Sequence, residues 1–323
     1  MRWLCLFAFY FGYFIPCQAR PNQPITLETG VSIDGAICIE AETGNVLLEK
    51  QPDLLGHPAS VTKLMTLLLV LEDIQAGKTS LNTPVTVTDE AARQGGSQVW
   101  LATGETFSTE ALLYAMMLHS ANDASVALAL HRESSVQRFV QRMNQRAQQL
   151  GMSRTRFVTP NGLTYGAGPH DTTTARDLTK LAQTLCQFPE ALNLSAKKDY
   201  LFRPGPRAVI LGNHNRLLNS FPGCDGMKTG WTVAANASIV TTAKVNGRRV
   251  IAVVLGCKSE QGAKPSQRAR DRLAADLMTK GLTALAKTEA PKVAPVAIPS
   301  SPLALAKQPP KEDNFWDFLA ELF

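Results

Sequence analysis

Ser60 and Lys63 are the first pair along this chain whose types and spacing could do chemistry. A serine hydroxyl is a weak nucleophile at neutral pH and needs a base beside it. If the apolar run from Val61 to about Ile74 is a helix, residues three apart share a face, and the Lys63 amine lies over the Ser60 hydroxyl. That amine is a base only when neutral, and burial or a second nearby ammonium drives it that way. Lys228, in the run Lys228-Thr229-Gly230, is the candidate second ammonium. Between the two segments stands Ser120-Ala121-Asn122, where a second hydroxyl could relay a proton and an amide could hold a peptide. Together these residues imply acyl transfer through a serine ester, with lysine as the base.

Further details fit the same chemistry. Ser60 at a helix start places its backbone N–H where developing negative charge is stabilised. Lys228 can attract a carboxylate, Thr229 can hydrogen-bond it, and Gly230 lets a substrate backbone approach closely. Taken singly, each segment also reads as plain structure: a serine-capped buried helix, a Ser/Asn helix cap and a solvated strand edge. It is their joint occurrence, in this order and in segments of the right kind, that argues for a site.

The elements that must position these residues can be read from periodicity. Gly35 to Glu40 and Asn45 to Glu49 predict two strands joined at Thr43-Gly44. The Leu- and Met-rich run after Ser60 predicts a buried helix ended by Gly77. Helical signals dominate from Thr88 to Leu201, with helices over 111–118, 123–131 and an amphipathic 136–150. Thr174 to Asp177 reads as a capping box opening a helix to Cys186, and Thr159 to Leu163 as a turn. Strands return over 226–232, 238–244 and 249–256, with Asn246-Gly247 as a hairpin turn, and Arg268 to Ala286 closes as a helix. Strands, a helical block, then strands and a helix predict one α/β domain with a helical insertion.

Composition bounds the rest. The chain has 323 residues, 45% of them hydrophobic, enough for a sizeable core. Arg2 followed by an apolar run from Trp3 to Pro16, with Cys17-Gln18-Ala19 after it, reads as an export signal over residues 1–19. Its loss lowers the net charge from +6 to +5, because Arg2 leaves and no acid does. That mild basic excess suits anionic surfaces, and without an arginine-rich run interleaved with aromatics nucleic acid is not an expected partner. Cys38, Cys186, Cys224 and Cys257 remain; they allow two disulfides in an oxidising compartment, or free thiols, buried in the apolar runs around Cys38 and Cys257. There is no CxxC or HExxH, so neither a metal nor another cofactor is expected.

The three motifs and their surroundings, His57-Pro58-Ala59-Ser60-Val61-Thr62-Lys63, Ser120-Ala121-Asn122-Asp123 and Asp225-Gly226-Met227-Lys228-Thr229-Gly230-Trp231-Thr232, resemble the low-molecular-weight penicillin-binding proteins. These are the D-alanyl-D-alanine carboxypeptidase family of serine peptidases, and the resemblance covers a catalytic domain over 24–286. It implies a β-lactamase/transpeptidase-like α/β fold, an antiparallel sheet flanked by helices with an inserted all-helical subdomain. Residue by residue, it implies Ser60 as the acylated nucleophile, Lys63 as its base, and Ser120 with Lys228 as proton relay. It further implies an oxyanion hole from the N–H groups of Ser60 and Trp231, and carboxylate binding by Thr229 and by Arg270, with Arg268 as the rival arginine. Asn122 and Gly230 complete the substrate-binding set. Peptidoglycan stem peptides are then the expected substrate, and β-lactams the expected covalent inhibitors. Ala121 stands where the family usually has glycine, and where longer members carry a second, β-rich domain this sequence has a proline-rich segment.

Other readings remain open. Short members of the family also cut D-alanyl cross-links as endopeptidases. A class A β-lactamase would need a deacylating glutamate, for which Glu190-Ala191-Leu192-Asn193 is one residue too short and too near Lys228. A non-catalytic penicillin sensor would have no use for a base. Beyond the domain, prolines recur from Pro291 to Pro310, predicting an extended linker over 287–311. The tail 312–323 puts Phe315, Trp316, Phe318, Leu319, Leu322 and Phe323 on one helical face, with Asp313, Asp317 and Glu321 opposite. That pattern suits a membrane surface or a groove on a partner protein; with the export signal, the resemblance implies a protein of the periplasm or cell envelope, at the outer face of the cytoplasmic membrane.

Overall fold

A computed structural model describes residues 25–164 and 168–288. The expected signal segment, the tail and all but the start of the linker lie outside the described residues. β1 (Val31–Ser32) and β2 (Gly35–Glu40) lead through the Thr43-Gly44 turn into β3 (Val46–Lys50). A 3-10 turn, Ala59–Thr62, feeds α1 (Lys63–Gln75). β4 (Pro84–Thr86), α2 (Asp89–Ala92), β5 (Thr106–Ser108), α3 (Thr109–Leu118), α4 (Asn122–Arg132) and α5 (Val136–Gln149) follow. Then come α6 (Ala175–Leu185), α7 (Pro189–Ala196), β6 (Asp199–Phe202), β7 (Val209–Gly212) and α8 (Leu217–Ser220). The chain ends in β8 (Cys224–Thr232), β9 (Asn236–Val245), β10 (Arg248–Ser259) and α9 (Ala263–Ala286).

The main sheet runs β3-β2-β10-β9-β8, with every pairing antiparallel and β1 on the end of β10. Strands from the two ends of the domain meet where β2 pairs with β10, so everything between β3 and β8 is an insertion. β2 is buried on both faces. Ile37 and Ile39 face the core around α1, while Ala36 and Cys38 face α9. This is why its sequence shows no apolar–polar alternation. α1 is apolar nearly all round because helices and sheet enclose it.

Local signals explain the element ends. Thr174 Oγ1 accepts from the Asp177 N–H at 3.0 Å, the cap expected for α6. Asn246 and Gly247 both take positive φ, 50° and 80°, as a two-residue hairpin with the right-handed strand twist requires. Gly281 lets α9 lie close on the sheet, since a Cβ there would fall 2.6 Å from Cys38 Sγ.

The structure departs from the sequence reading in two places. The insertion is helical in bulk but carries two small antiparallel ladders, β4–β5 and β6–β7. These strands are three or four residues long, and pairing between such short segments leaves no periodic trace. The last helix starts earlier than the expected Arg268: Gly262 to Gln267 form the N-cap and opening of α9. All four remaining cysteines are free. Burial pushes the Cys186 thiol up to about 12 and Cys257 up to about 11, so neither thiol is poised to react.

Candidate active site

The site is assembled where the 3-10 turn, the α3–α4 junction, the loop before α6 and the edge strand β8 converge. Ser60 sits in the turn and Lys63 opens α1 one turn later, as the spacing requires. Lys63 Nζ lies 2.9 Å from Ser60 Oγ and donates to Asn122 Oδ1 and to the Asn161 carbonyl, both at 2.7 Å. The lysine has no exposed surface. Burial, and after it the Lys228 charge, drives its pKa well below the ordinary lysine value; Asp171 and Asp123 pull it back in part. The geometry also suits the neutral amine. Its two N–H groups can serve the two carbonyl oxygens, which only accept, leaving the lone pair for the Ser60 O–H.

Ser120 ends the tight connection between α3 and α4 in a left-handed conformation, φ 63°. Its neighbours fix it there: the Ala121 N–H donates to Ala115 O at 3.1 Å and the Asn122 N–H to Ser97 O at 2.7 Å. Asn122 has a second hold, since Nδ2 donates to Gly95 O at 2.7 Å. On β8, Gly230 has a reason beyond substrate access. A Cβ there would lie 2.6 Å from Pro58 O and 3.1 Å from Ser60 N, so only glycine lets the strand press against the nucleophile's turn.

A cleft of about 360 Å³ opens over these elements. Ser60, Ser120, Thr229, Gly230, Trp231 and Arg270 line it. Lys63, Asn122 and Lys228 are not among its lining residues; they are buried. Lys228 Nζ donates to Thr229 O at 3.1 Å, so it acts on the cleft through its field rather than by direct contact. Burial first, and the Arg270 charge second, lower its pKa to about 7. Arg270 comes from α9, with Nε and Nη2 held by Asp271 at 2.9 and 2.7 Å, whereas Arg268 is exposed and off the cleft. The geometry therefore favours Arg270 of the two arginines. Glu190 is exposed in the first turn of α7 and also off the cleft.

Sequence reasoning missed the groups that hold this arrangement. Asp171 is buried, and its carboxylate accepts from Val158 N (2.6 Å), Thr159 N (2.9 Å), Thr159 Oγ1 (2.8 Å) and Thr62 Oγ1 (2.9 Å). It thereby ties the 158–163 loop to the Ser60 turn. Pro160 O in that loop accepts from Thr66 Oγ1 and Ser125 Oγ, at 2.6 and 2.8 Å. Gly162, at φ 83°, presses on Ala59, where a Cβ would fall 1.8 Å from the carbonyl oxygen. His214 also lines the cleft; burial and then Lys228 hold its pKa at about 4, so it is neutral at pH 7. The Thr159–Leu163 turn was readable, but nothing in the spacing of Asp171 or His214 marked either one.

Comparison with known proteins identifies the family. The D-alanyl-D-alanine carboxypeptidase family matches residues 20–259, and this chain belongs to it. The D-alanyl-D-alanine carboxypeptidase DacF of Bacillus subtilis is 36% identical over 242 residues, 75% of this chain and 61% of that protein. A D-alanyl-D-alanine endopeptidase of Pseudomonas aeruginosa is 31% identical over 246 residues, 75% of this chain and 76% of that protein. The ampicillin-bound penicillin-binding protein D2 of Listeria monocytogenes superposes with a TM-score of 0.69 at 30% identity, covering 81% of this chain and all of that one. The chain spans about three-fifths of the length of the carboxypeptidase relatives it matches, 61% for DacF.

Asp171→Ala removes the acceptor for four donors, and buried donors left unpaired cost about 1–3 kcal/mol each. The variant is expected to melt several degrees lower and to lose amide-exchange protection at Val158 and Thr159. Unchanged protection there would show that the loop is held by other contacts.

Proposed function

We propose that this protein is a serine-type D-alanyl-D-alanine carboxypeptidase that removes the terminal D-alanine from peptidoglycan stem peptides. The observation that carries the reading is the buried Lys63 Nζ, held by Asn122 and Asn161 with one position left for Ser60 Oγ. In the reaction, Lys63 takes the Ser60 proton as Oγ attacks the penultimate carbonyl. The N–H groups of Ser60 and Trp231 stabilise the oxyanion. Lys63 returns that proton through Ser120, polarised by the Lys228 charge, to the departing D-alanine amine; neutral again, it takes a proton from the water that hydrolyses the ester and passes it back to Ser60 Oγ. Thr229 and Arg270 hold the substrate's terminal carboxylate, Asn122 supports the stem backbone, and Gly230 keeps the strand against the turn. Neutral His214 adds no charge of its own to this anion site.

β-Lactams carry a carboxylate and a reactive amide in the same relation, and we assign them as covalent inhibitors; the bound ampicillin of the Listeria protein supports this. Endopeptidase cleavage of cross-links is the second reading. It is favoured by the Pseudomonas endopeptidase, of whose length the match covers 76%. We place the protein in the cell envelope, exported and attached at the outer face of the cytoplasmic membrane, or to a partner protein, through residues 312–323. Among the described residues no helix is long and apolar enough to cross a membrane.

A labelled penicillin is expected to mark the protein covalently and to leave Ser60→Ala unmarked. The wild type should release D-alanine from monomeric pentapeptide muropeptides faster than it splits cross-linked dimers. The opposite order of rates would establish the endopeptidase reading, and labelling of Ser60→Ala would displace the nucleophile.

The pH dependence follows from the two lysines. On the acid side kcat/KM rises as Lys63 loses its proton, well below the ordinary lysine range. It falls through about 7 as Lys228 loses the charge that attracts the carboxylate. Lys63→Arg supplies no neutral base and is expected to acylate about 10²–10⁴-fold more slowly. A rising limb near 10.4, the unperturbed lysine value, would contradict the assignment.

Amidating the substrate's terminal carboxylate should cost about ten- to a hundredfold in kcat/KM, the worth of charge-assisted hydrogen bonds. Arg270→Ala is expected to shrink that difference. If the variant discriminates between free and amidated substrates as well as the wild type does, Arg270 does not bind the carboxylate.

A further inference from the structure

Trp100 is the most anomalous side chain near the cleft. It is 75% exposed, and its backbone is left-handed, at φ 57°, where a bulky residue is rare. The surrounding structure fixes it there. On one side, the buried Asp123 carboxylate accepts from Val99 N (3.1 Å) and Leu101 N (3.0 Å). On the other, Arg203 Nη1 donates to Val99 O and Nη2 to Trp100 O, both at 2.7 Å. The Arg203 guanidinium is itself set by Glu105 at 2.6 Å and by the Phe107 and Phe202 rings, 5.3 and 5.2 Å away. Strain of this kind persists where neighbouring contacts over-determine it, and it collects at ligand-contacting positions.

We propose that Trp100 is a stacking platform for a sugar ring of the peptidoglycan strand, a subsite beyond the one that binds the peptide. The proposal rests on the carboxypeptidase reading only in taking peptidoglycan as the ligand. Trp100 is three residues from Ser97, which lines the cleft and is tied to it by the Asn122 N–H. Three residues reach at most about 11 Å, and the four stem residues between the scissile bond and the sugar reach at most about 14 Å, so the spans are compatible. A pyranose has a C–H-rich face that packs on an indole plane while its hydroxyls stay in water or accept from the indole N–H. An indole whose backbone is held before the ligand arrives needs little further ordering on binding.

The test is equilibrium binding to Ser60→Ala protein, which cannot turn the ligand over, with two probes: a free stem pentapeptide and the same pentapeptide carrying its disaccharide. The disaccharide form is expected to bind about five- to tenfold more tightly, the range of an aromatic stacking contact. Adding Trp100→Ala should abolish that advantage, and Trp100→Phe should retain most of it; thermal unfolding checks that each variant is folded. Equal affinity for the two probes, or an advantage that survives Trp100→Ala, overturns the assignment. Failure of the carboxypeptidase reading shows separately, as no D-alanine release by protein with Ser60 intact.

Discussion

A lysine side chain with no exposed surface must find partners for every proton it keeps or give one up, and Lys63 does both. Its nitrogen is where four otherwise separate parts of the chain meet. The Ser60 turn, the start of α4, the loop at Asn161 and, through charge, the edge strand β8 all act on it. Much of the surrounding structure serves to keep that nitrogen dry and in place. Gly162 and Gly230 let backbone press against the Ser60 turn from two sides, at distances no side chain would permit. Asp171 fastens the loop that supplies one of the carbonyls.

The same arrangement explains why the cleft is divided into a lined surface and a buried layer. The groups proposed to touch the ligand, Ser60, Ser120, Thr229 and Arg270, stand at the wall. Groups that set their protonation, Lys63 and Lys228, lie behind it. A cation in a low-dielectric region disfavours a second charge beside it, so the Lys228 charge lowers the cost of keeping Lys63 neutral. Arg270, held in position by Asp271, acts on Lys228 in the same way, after burial. Among the described non-glycine residues with left-handed backbone, Ala59 directly precedes Ser60 and Ser120 lines the cleft. Backbone strain there is balanced by hydrogen bonds from neighbouring segments.

How much of this could be read in advance depended on whether the cause was local. α5 and the α6 cap were readable because periodicity and a capping side chain lie within a few residues of the element they specify, and β2 because a short apolar run there is followed by a turn. The three motifs were readable because catalysis needs particular residue types at close spacing. Asp171 and Asn161 were not, because their importance comes from partners about a hundred residues away, Thr62 and Lys63. His214 carries no spacing signal; it lines the cleft with Arg270, and the charges of Lys228 and Arg270 act on it. The opening of α9 was missed for the opposite reason: Gly262 and Pro265 look like a break, yet a proline is tolerated in the first helical turn.

The account rests on Lys63 being a neutral amine at working pH. The most direct measurement is a nitrogen-15 NMR titration of protein labelled at its lysine side-chain nitrogens, with the Lys63 signal identified by its loss in Lys63→Arg. The account predicts that this resonance titrates well below the ordinary lysine value of 10.5, and that replacing Lys228 by methionine raises its titration point. A Lys63 resonance that stays in its charged form until near 10.5 would contradict it.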